Sequence, residues 1–399
     1  MKNLLVIHHE RRDTDSSIYL TDDYYKANNS LYGAQELDTW AGYRILSILS
    51  RVWRLSICTN YKYYKLYDPK GRLLEKGKLN AVSKFEIFKR KDSDWLTILS
   101  NSSTSQYLDF DLKQKIEIWI SRYDINLVWA ETQFFLAITP KEFPLVVRSV
   151  NFEPYHVIYE DSSKFKYAKV LPRLLLESSS GRQSHIVPIS PLDESRYCKF
   201  GIQTSEYIPL RQFAFIKEES LRDKESIQDF VFLSGSNYQI KHNRKNLEIL
   251  LREVAPKIQN IYPDMQFRVY GHRVPSLPRL SSNVKIMGFV ESYQHEIRKA
   301  RAAIVPGLGG AGMQSKIFEP LILGIPTISH LKNLSGIDSK HFPHFYPITS
   351  TTSMVEGIIT VMESNQKSRI NSSVAYLPYS FSLDALTQRT LAIIQKMSI

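Results

Sequence analysis

The sequence predicts an α/β protein made of two Rossmann-like domains, each a doubly wound parallel sheet. Three observations carry this. The 399 residues exceed what one hydrophobic core usually serves. Short apolar runs of the kind that fill buried parallel strands alternate with stretches of helical periodicity. No internal repeat or low-complexity tract offers a different architecture. The expected boundaries are 1–210 for the N-terminal domain, 229–380 for the C-terminal domain, and 381–399 for a closing helix that packs back on the first.

Leu4, Leu5, Val6 and Ile7 read as the first buried strand, and the polar stretch 11–30 as a long loop. From Glu36 the apolar positions Leu37, Trp40, Ala41, Ile45, Ile48, Leu49 and Val52 recur at helical spacing, ahead of a strand at 55–58. Asp68-Pro69-Lys70-Gly71 is a turn inside a hairpin-like insertion. A helix over 112–120 follows, then strands at 126–130, 145–148 and 186–190. The charged stretch 217–228 reads as the linker. Beyond it the spacing predicts strands at 230–233, 266–270, 284–287, 303–305 and 326–329, with helices over 246–258, 294–300, 315–323 and 383–396.

An apolar fraction of 43% with 23% charged residues is that of a globular rather than a disordered chain. Cys58 and Cys198 have no metal-ligand spacing and form no disulfide framework, which fits a reducing compartment. The apolar start is cut short by His8, His9, Glu10 and Arg11, too soon for a secretory signal, and no apolar run reaches the length of a membrane span. The expectation is a cytoplasmic protein with access to the inner face of the cell membrane. The net charge of +12 implies an anionic partner. Much of it lies in 62–91, where Lys65, Lys70, Arg72, Lys76, Lys78, Lys84, Lys89 and Arg90 are interleaved with aromatic residues. A solvated basic face and an anionic membrane surface both remain open readings. Nucleic acid is not expected as a partner, because no recognition module accompanies the charge.

The most informative stretch is 306–326. Gly307, Gly309, Gly310 and Gly312 stand between a buried strand and a helix, where backbone approaches a ligand closely and the helix N-terminus offers unpaired N–H groups. Lys316, in the first turn of that helix, is misplaced for the helix dipole unless an anion offsets it. A diphosphate is the natural occupant. Glu319, one turn on, supplies acceptors for vicinal ribose hydroxyls. The alternative is an ion pair on the helix surface beside a shaped loop.

The string Gly310-Ala311-Gly312, then Lys316, Glu319 and Gly324-Ile325-Pro326, resembles the C-terminal domain of glycosyltransferase family 4. Further pieces occur in that family's order. Phe232 to Asn237 is similar to its first strand and glycine turn, followed by Lys241, Arg244 and Lys245; Phe267 to Gly271 and Val284 to Val290 are similar to later strands, and Leu334 to Ile337 to a short loop. The resemblance covers about 230–362 well and the first domain loosely. It implies the GT-B fold, with the two domains facing across a cleft, and transfer of a sugar from a nucleoside-diphosphate sugar, with retention, to a glycan or lipid-linked glycan.

Roles follow from it. Lys316 and Arg244 are expected to neutralise the leaving diphosphate, and Glu319 to hold ribose. Gly235, Ser236, Asn237, Lys241, Lys245, Gly271, Gly288, Phe289, Val290, Gly310, Ala311, Gly312, Met313, Gln314 and Ser315 complete the donor set. No cofactor and no metal is expected, the nucleotide sugar being a co-substrate. Three Asp-x-Asp strings, at 13–15, 92–94 and 109–111, read as chance matches. In the first domain Arg148-Ser149-Val150-Asn151-Phe152-Glu153 resembles a cleft-facing segment of the family. With His8 and His9, its Arg148, Asn151 and Glu153 are the candidate acceptor-binding residues, the open alternatives being a loop salt bridge for Arg148 and Glu153 and a functionally silent pair for the histidines. Two departures stand out: Ala311 replaces a glutamate near the transferred sugar, and Val150 replaces a histidine. Both favour the alternative of a non-catalytic GT-B-like binding module. A dinucleotide fingerprint and a P-loop are absent from the sequence.

Overall fold

A computed structural model describes residues 2–10, 19, 34–58, 62–89, 95–161, 163–216, 227–275, 281–290, 293–308, 313–364 and 378–397. The chain divides into two compact units. The first holds the described residues up to Gln212 together with those from Ser380 onward; the second is Phe213–Tyr379.

The first unit runs β1 (Asn3–His9), α1 (Ala34–Leu49), β2 (Arg51–Cys58), β3 (Tyr63–Tyr67), β4 (Leu73–Lys78), α2 (Lys84–Phe88), α3 (Trp95–Ser102), α4 (Phe110–Arg122), β5 (Leu127–Ala130), β6 (Leu145–Ser149), α5 (Glu153–Glu160), α6 (Lys166–Gln183), β7 (His185–Pro188) and α7 (Pro191–Lys199). Its sheet has the order β4-β3-β2-β1-β5-β6-β7. β1 lies at the centre, parallel to β2 on one side and β5 on the other. A central parallel strand is covered on both faces, which is why Leu4, Leu5, Val6 and Ile7 are all apolar and all buried.

The basic stretch is only in part the exposed hairpin expected. β3 and β4 are antiparallel and extend the sheet. Tyr63, Tyr64, Leu66 and Tyr67 are buried, and Lys65 is buried 3.8 Å from Glu10. Tyr63, Tyr64 and Tyr67 between the lysines are therefore core, whereas Phe85 is 68% exposed. What stays exposed is the edge strand β4 and α2, with Lys70, Arg72, Lys76, Lys78, Lys84 and Lys89. A row of cations along an edge strand also discourages pairing with another sheet. Arg90 lies outside the described residues.

α5, α6 and α7 were not legible in advance. Pro172 sits inside α6, where a proline normally argues against a helix. α7 starts in a favourable manner, with Pro191 at its first position and Ser190 capping the N–H of Asp193.

The second unit comprises β8 (Gln228–Asn237), α8 (Lys241–Ile249), α9 (Ala255–Ile261), β9 (Gln266–His272), β10 (Val284–Gly288), α10 (Tyr293–Lys299), β11 (Ala300–Val305), α11 (Ser315–Ile322), β12 (Thr327–His330), β13 (Phe345–Ile348) and α12 (Thr351–Glu363). Its six-stranded sheet, β10-β9-β8-β11-β12-β13, is parallel throughout. Along β8 alternate residues serve the two faces: Val231 and Leu233 pack with Leu247, Leu250 and Phe267, while Phe230 and Phe232 pack with Tyr270, Ala303 and Leu323. The helix expected over 246–258 starts earlier, at Lys241, and α8 joins α9 through one π-helical turn, Leu250–Val254, ahead of Pro256, which has no N–H to donate.

The last helix, α13 (Leu383–Lys396), belongs to the first unit and packs against α1, burying Ala385, Leu386, Ile393 and Ile394. Arg389 pairs with Glu206 at 2.8 Å and donates to the Tyr207 carbonyl at 3.1 Å. Among the described residues no helix is long and apolar enough to cross a membrane.

Candidate functional site

In a doubly wound sheet, ligands bind beyond the carboxyl ends of the strands where the strand order reverses. In the second unit that point lies between β8 and β11, which neighbour each other at the centre of the sheet. β8 ends at Asn237 and β11 leads through Pro306 to Gly307. Two helices start there, α8 and α11. Their N-cap residues, Ile240 and Gln314, make no side-chain capping bond, so both helices begin without the usual cap on their leading N–H groups.

Lys316 is half-buried in the first turn of α11 and its Nζ donates to Asn243 Oδ1 at 2.7 Å. This brings the expected cation of α11 against α8. Met313, Gln314, Ser315 and Glu319 are likewise half-buried around it. Gly310, Ala311 and Gly312, expected to cradle the diphosphate, lie outside the described residues. On α8, Lys241, Arg244 and Lys245 are exposed, and Arg244 Nε is held by Glu248 at 3.1 Å. Arg244, expected at the diphosphate, is thus engaged in an exposed pair on its own helix.

Gly235 and Ser236 do not form the glycine turn the sequence suggested: β8 continues through them, and the turn comes at 238–240, where Asn237 Oδ1 accepts from Gln239 N at 2.9 Å. Gly271 lies inside β9, with φ 133°. Gly288 closes β10 in the left-handed region at φ 69°, which favours glycine there. The expected base loop divides after it. Val290 packs on the core, whereas Phe289 is 44% exposed and its ring stacks on His272 at 4.3 Å with an interplanar angle of 26°. His272 was not anticipated, nor were the buried Asn243, Asn246 and Asn333. No local spacing marks them.

The first unit treats its candidates differently. His8 is fully buried, its Nδ1 3.1 Å from Tyr19 Oη and its Nε2 3.3 Å from Arg54 Nη1. Burial, reinforced by the charge of Arg54, holds the imidazole well below its ordinary value and keeps it neutral at pH 7. A guanidinium only donates, so Nε2 is the acceptor and Nδ1 carries the proton toward Tyr19. Arg54 is itself sandwiched by the rings of Tyr19 at 4.1 Å and Tyr67 at 3.9 Å. His9 is half-buried at the end of β1, its ring 6.1 Å from that of Tyr107.

Arg148, expected at the acceptor, is fully buried in a structural network. It pairs with Asp38 at 3.3 Å and donates to the carbonyls of Ile208 and Pro209. Asp38 also accepts from Arg211 N at 2.6 Å and Nη2 at 2.8 Å, and Arg211 Nη2 reaches Glu131 at 2.6 Å. Two guanidiniums and two carboxylates balance with no exposed member.

Asn151 is half-buried, its carbonyl accepting from Ser149 Oγ at 2.8 Å. Glu153 opens α5 as part of a buried acidic group. Its N–H donates at 3.1 Å to Glu177, which also accepts from Gln133 Nε2 at 2.9 Å and lies 2.7 Å from Tyr197 Oη. Burial raises Glu153 and Asp193 above the usual carboxylate range. It pushes Glu177 up to about 8. An unfolded glutamate releases its proton near pH ~4.3, so folding takes up a proton between there and about pH 8. Glu177 therefore contributes its full stability at the acidic end of that window and loses it as the pH climbs. The expected result is that Glu177→Gln, which keeps a neutral side chain of the same shape, melts relatively higher than the parent as pH rises from 5 to 8.5. Parallel melting curves for the two proteins across that range would show that Glu177 does not carry the proton.

Asp109 is a helix cap rather than a metal ligand: it accepts from Leu112 N at 2.9 Å and Asn80 N at 2.6 Å. The Asp-x-Asp strings at 13–15 and 92–94 lie outside the described residues. Among the described residues no group of three or more metal-ligating side chains comes together.

Residues 229–363 match the family model described as glycosyl transferases group 1. No curated protein matches the chain. Solved structures match over its full length. Sucrose-phosphate synthase from Thermosynechococcus elongatus superposes with a TM-score of 0.58 at 11% identity, covering 100% of this chain and 99% of that one. A glycosyltransferase from Rickettsia africae ESF-5 gives 0.58 at 9% identity, over 99% and 98% of the two chains. The Anabaena protein HepE in complex with UDP gives 0.56 at 12% identity, over 99% and 100%. At such identities the likeness shows the fold alone, and that fold is GT-B.

Proposed function

We propose that this GT-B chain, whose second unit carries the group 1 glycosyltransferase pattern, transfers a sugar from a nucleoside-diphosphate sugar to a hydroxyl of a glycan, free or lipid-linked, with retention. The observation that carries the reading is Lys316, held in the first turn of α11 beside the start of α8 at the point where the strand order reverses. Negative charge grows on the diphosphate as the sugar leaves. A fixed ammonium and two uncapped helix N-termini are the groups that oppose it. In this reading Glu319 receives the ribose hydroxyls, and Phe289 stacked on His272 offers a flat face to the base. The half-buried His9 and Asn151, rather than Arg148, are the acceptor-side groups we assign.

Ala311 and Val150 support a second reading, in which the protein binds a nucleotide or glycan without turnover. One experiment addresses both. In a thermal-shift panel of UDP-, GDP-, ADP- and CDP-sugars, a donor at 100 times its dissociation constant stabilises by about 2.7 kcal/mol. One base class should raise the melting temperature, and that donor with a glycan acceptor should release free nucleoside diphosphate. A shift without release leaves the second reading; no shift from any donor removes the first.

A further inference from the structure

Gly307 and Lys316 bracket the glycine-rich segment, and each is held by an asparagine from α8. Gly307 N–H donates to Asn246 Oδ1 at 2.6 Å, while its carbonyl accepts from Asn333 Nδ2 at 3.0 Å. Lys316 Nζ donates to Asn243 Oδ1, and Asn243 is fixed in turn by donating from Nδ2 to the Asn237 carbonyl at 3.0 Å. Asn243 and Asn246 are three residues apart, on one face of the helix, and both are buried. The fit is tight: a Cβ at position 307 would stand 2.7 Å from Asn246 Oδ1. Asn246 Nδ2 is buried and has no hydrogen-bond partner among the described residues.

We propose that Asn243 and Asn246 are positioning residues that fix the two flanks of the donor's diphosphate site, Asn243 by orienting the Lys316 ammonium and Asn246 by anchoring Gly307. This rests on the donor reading above. The choice of amide matters. A carboxylate at position 243 would hold Lys316 more strongly but cancel its charge, whereas a neutral acceptor orients the ammonium and leaves its charge for the phosphates. The unsatisfied N–H of Asn246 is a donor of the kind a phosphate oxygen completes.

The test is calorimetric titration of the parent, Asn243→Asp and Asn243→Ala with UDP, GDP and ADP and with the matching monophosphates. The parent should prefer the diphosphate of one base. Asn243→Asp should cut that preference by about tenfold while leaving monophosphate affinity near the parent's, with a lower melting temperature because the bond to the Asn237 carbonyl is lost, and Asn243→Ala should cut the preference less. On a Lys316→Met background Asn243→Ala should cost nothing further, because the asparagine acts through that lysine. A residue that merely supported the fold would weaken both ligands alike. Should Asn243→Asp not fold, the alanine variant and the Lys316→Met cycle read the same quantity. A diphosphate preference unchanged in the variants, or an Asn243→Ala loss that adds to that of Lys316→Met, overturns the inference alone. A parent that binds none of the three diphosphates, nor CDP, overturns the donor reading and this inference with it.

Discussion

Replacing Asp38 by alanine is expected to lower the unfolding free energy by about 3–5 kcal/mol, because it leaves two guanidiniums buried against a single carboxylate. Burial by itself would raise the Asp38 carboxyl, yet Arg148 and Arg211 outweigh it and hold the group below its ordinary value. Arg148 depends on that charge. Burial brings its pKa down to about 10 even with Asp38 beside it. Asp38 also links parts of the chain far apart in sequence, lying 110 residues from Arg148 and 173 from Arg211. Urea denaturation of the parent and Asp38→Ala gives the difference directly. Removing Arg148 as well, as Asp38→Leu with Arg148→Met, restores neutrality with Arg211 and Glu131 left as a pair. The double variant should lose less than the two single variants summed. A loss below about 1 kcal/mol for Asp38→Ala would mean that water or a local rearrangement relieves the stranded charges.

The second large effect falls on turnover. Lys316→Met should reduce kcat by about 10² to 10³, the cost of removing one well-placed group that stabilises developing anionic charge. The side chain is half-buried, and methionine preserves its apolar stem, so the fold should hold. Near-UV circular dichroism checks that point, and initial rates with the donor found by the thermal-shift panel supply the number. A variant that keeps more than a tenth of the parental kcat would place the charge stabilisation elsewhere, with Lys241 and Lys245 the next groups to replace.

The parts of the fold that could be read in advance are those that declare themselves over a few consecutive residues. Leu4 to Ile7 and Phe230 to Leu233 are apolar without interruption because both faces of their sheets are covered, and the structure buries every one of them. α6 was missed since Pro172 contradicts the local signal while tertiary packing sustains the helix. The basic hairpin was half legible: its charges predicted exposure, but Tyr63, Tyr64 and Tyr67 are core residues whose burial depends on β2 and β4 pairing on either side. At the site, Lys316 and Glu319 stood out because helix and glycine signals lie next to them. Asn243 and Asn246 did not, since their partners are 73 and 61 residues away. For the same reason Arg148 looked like a ligand contact, its carboxylate being supplied from α1.

The return of α13 to the first unit has a consequence for synthesis. Most of that unit is made before the second, yet its helical layer over α1 stays open until the entire second unit has been made. The later-made unit can close its own parallel sheet while the earlier one is still waiting for Ala385, Leu386, Ile393 and Ile394. A premature stop near residue 380 would therefore spare the second unit and leave the first, begun before it, unfinished.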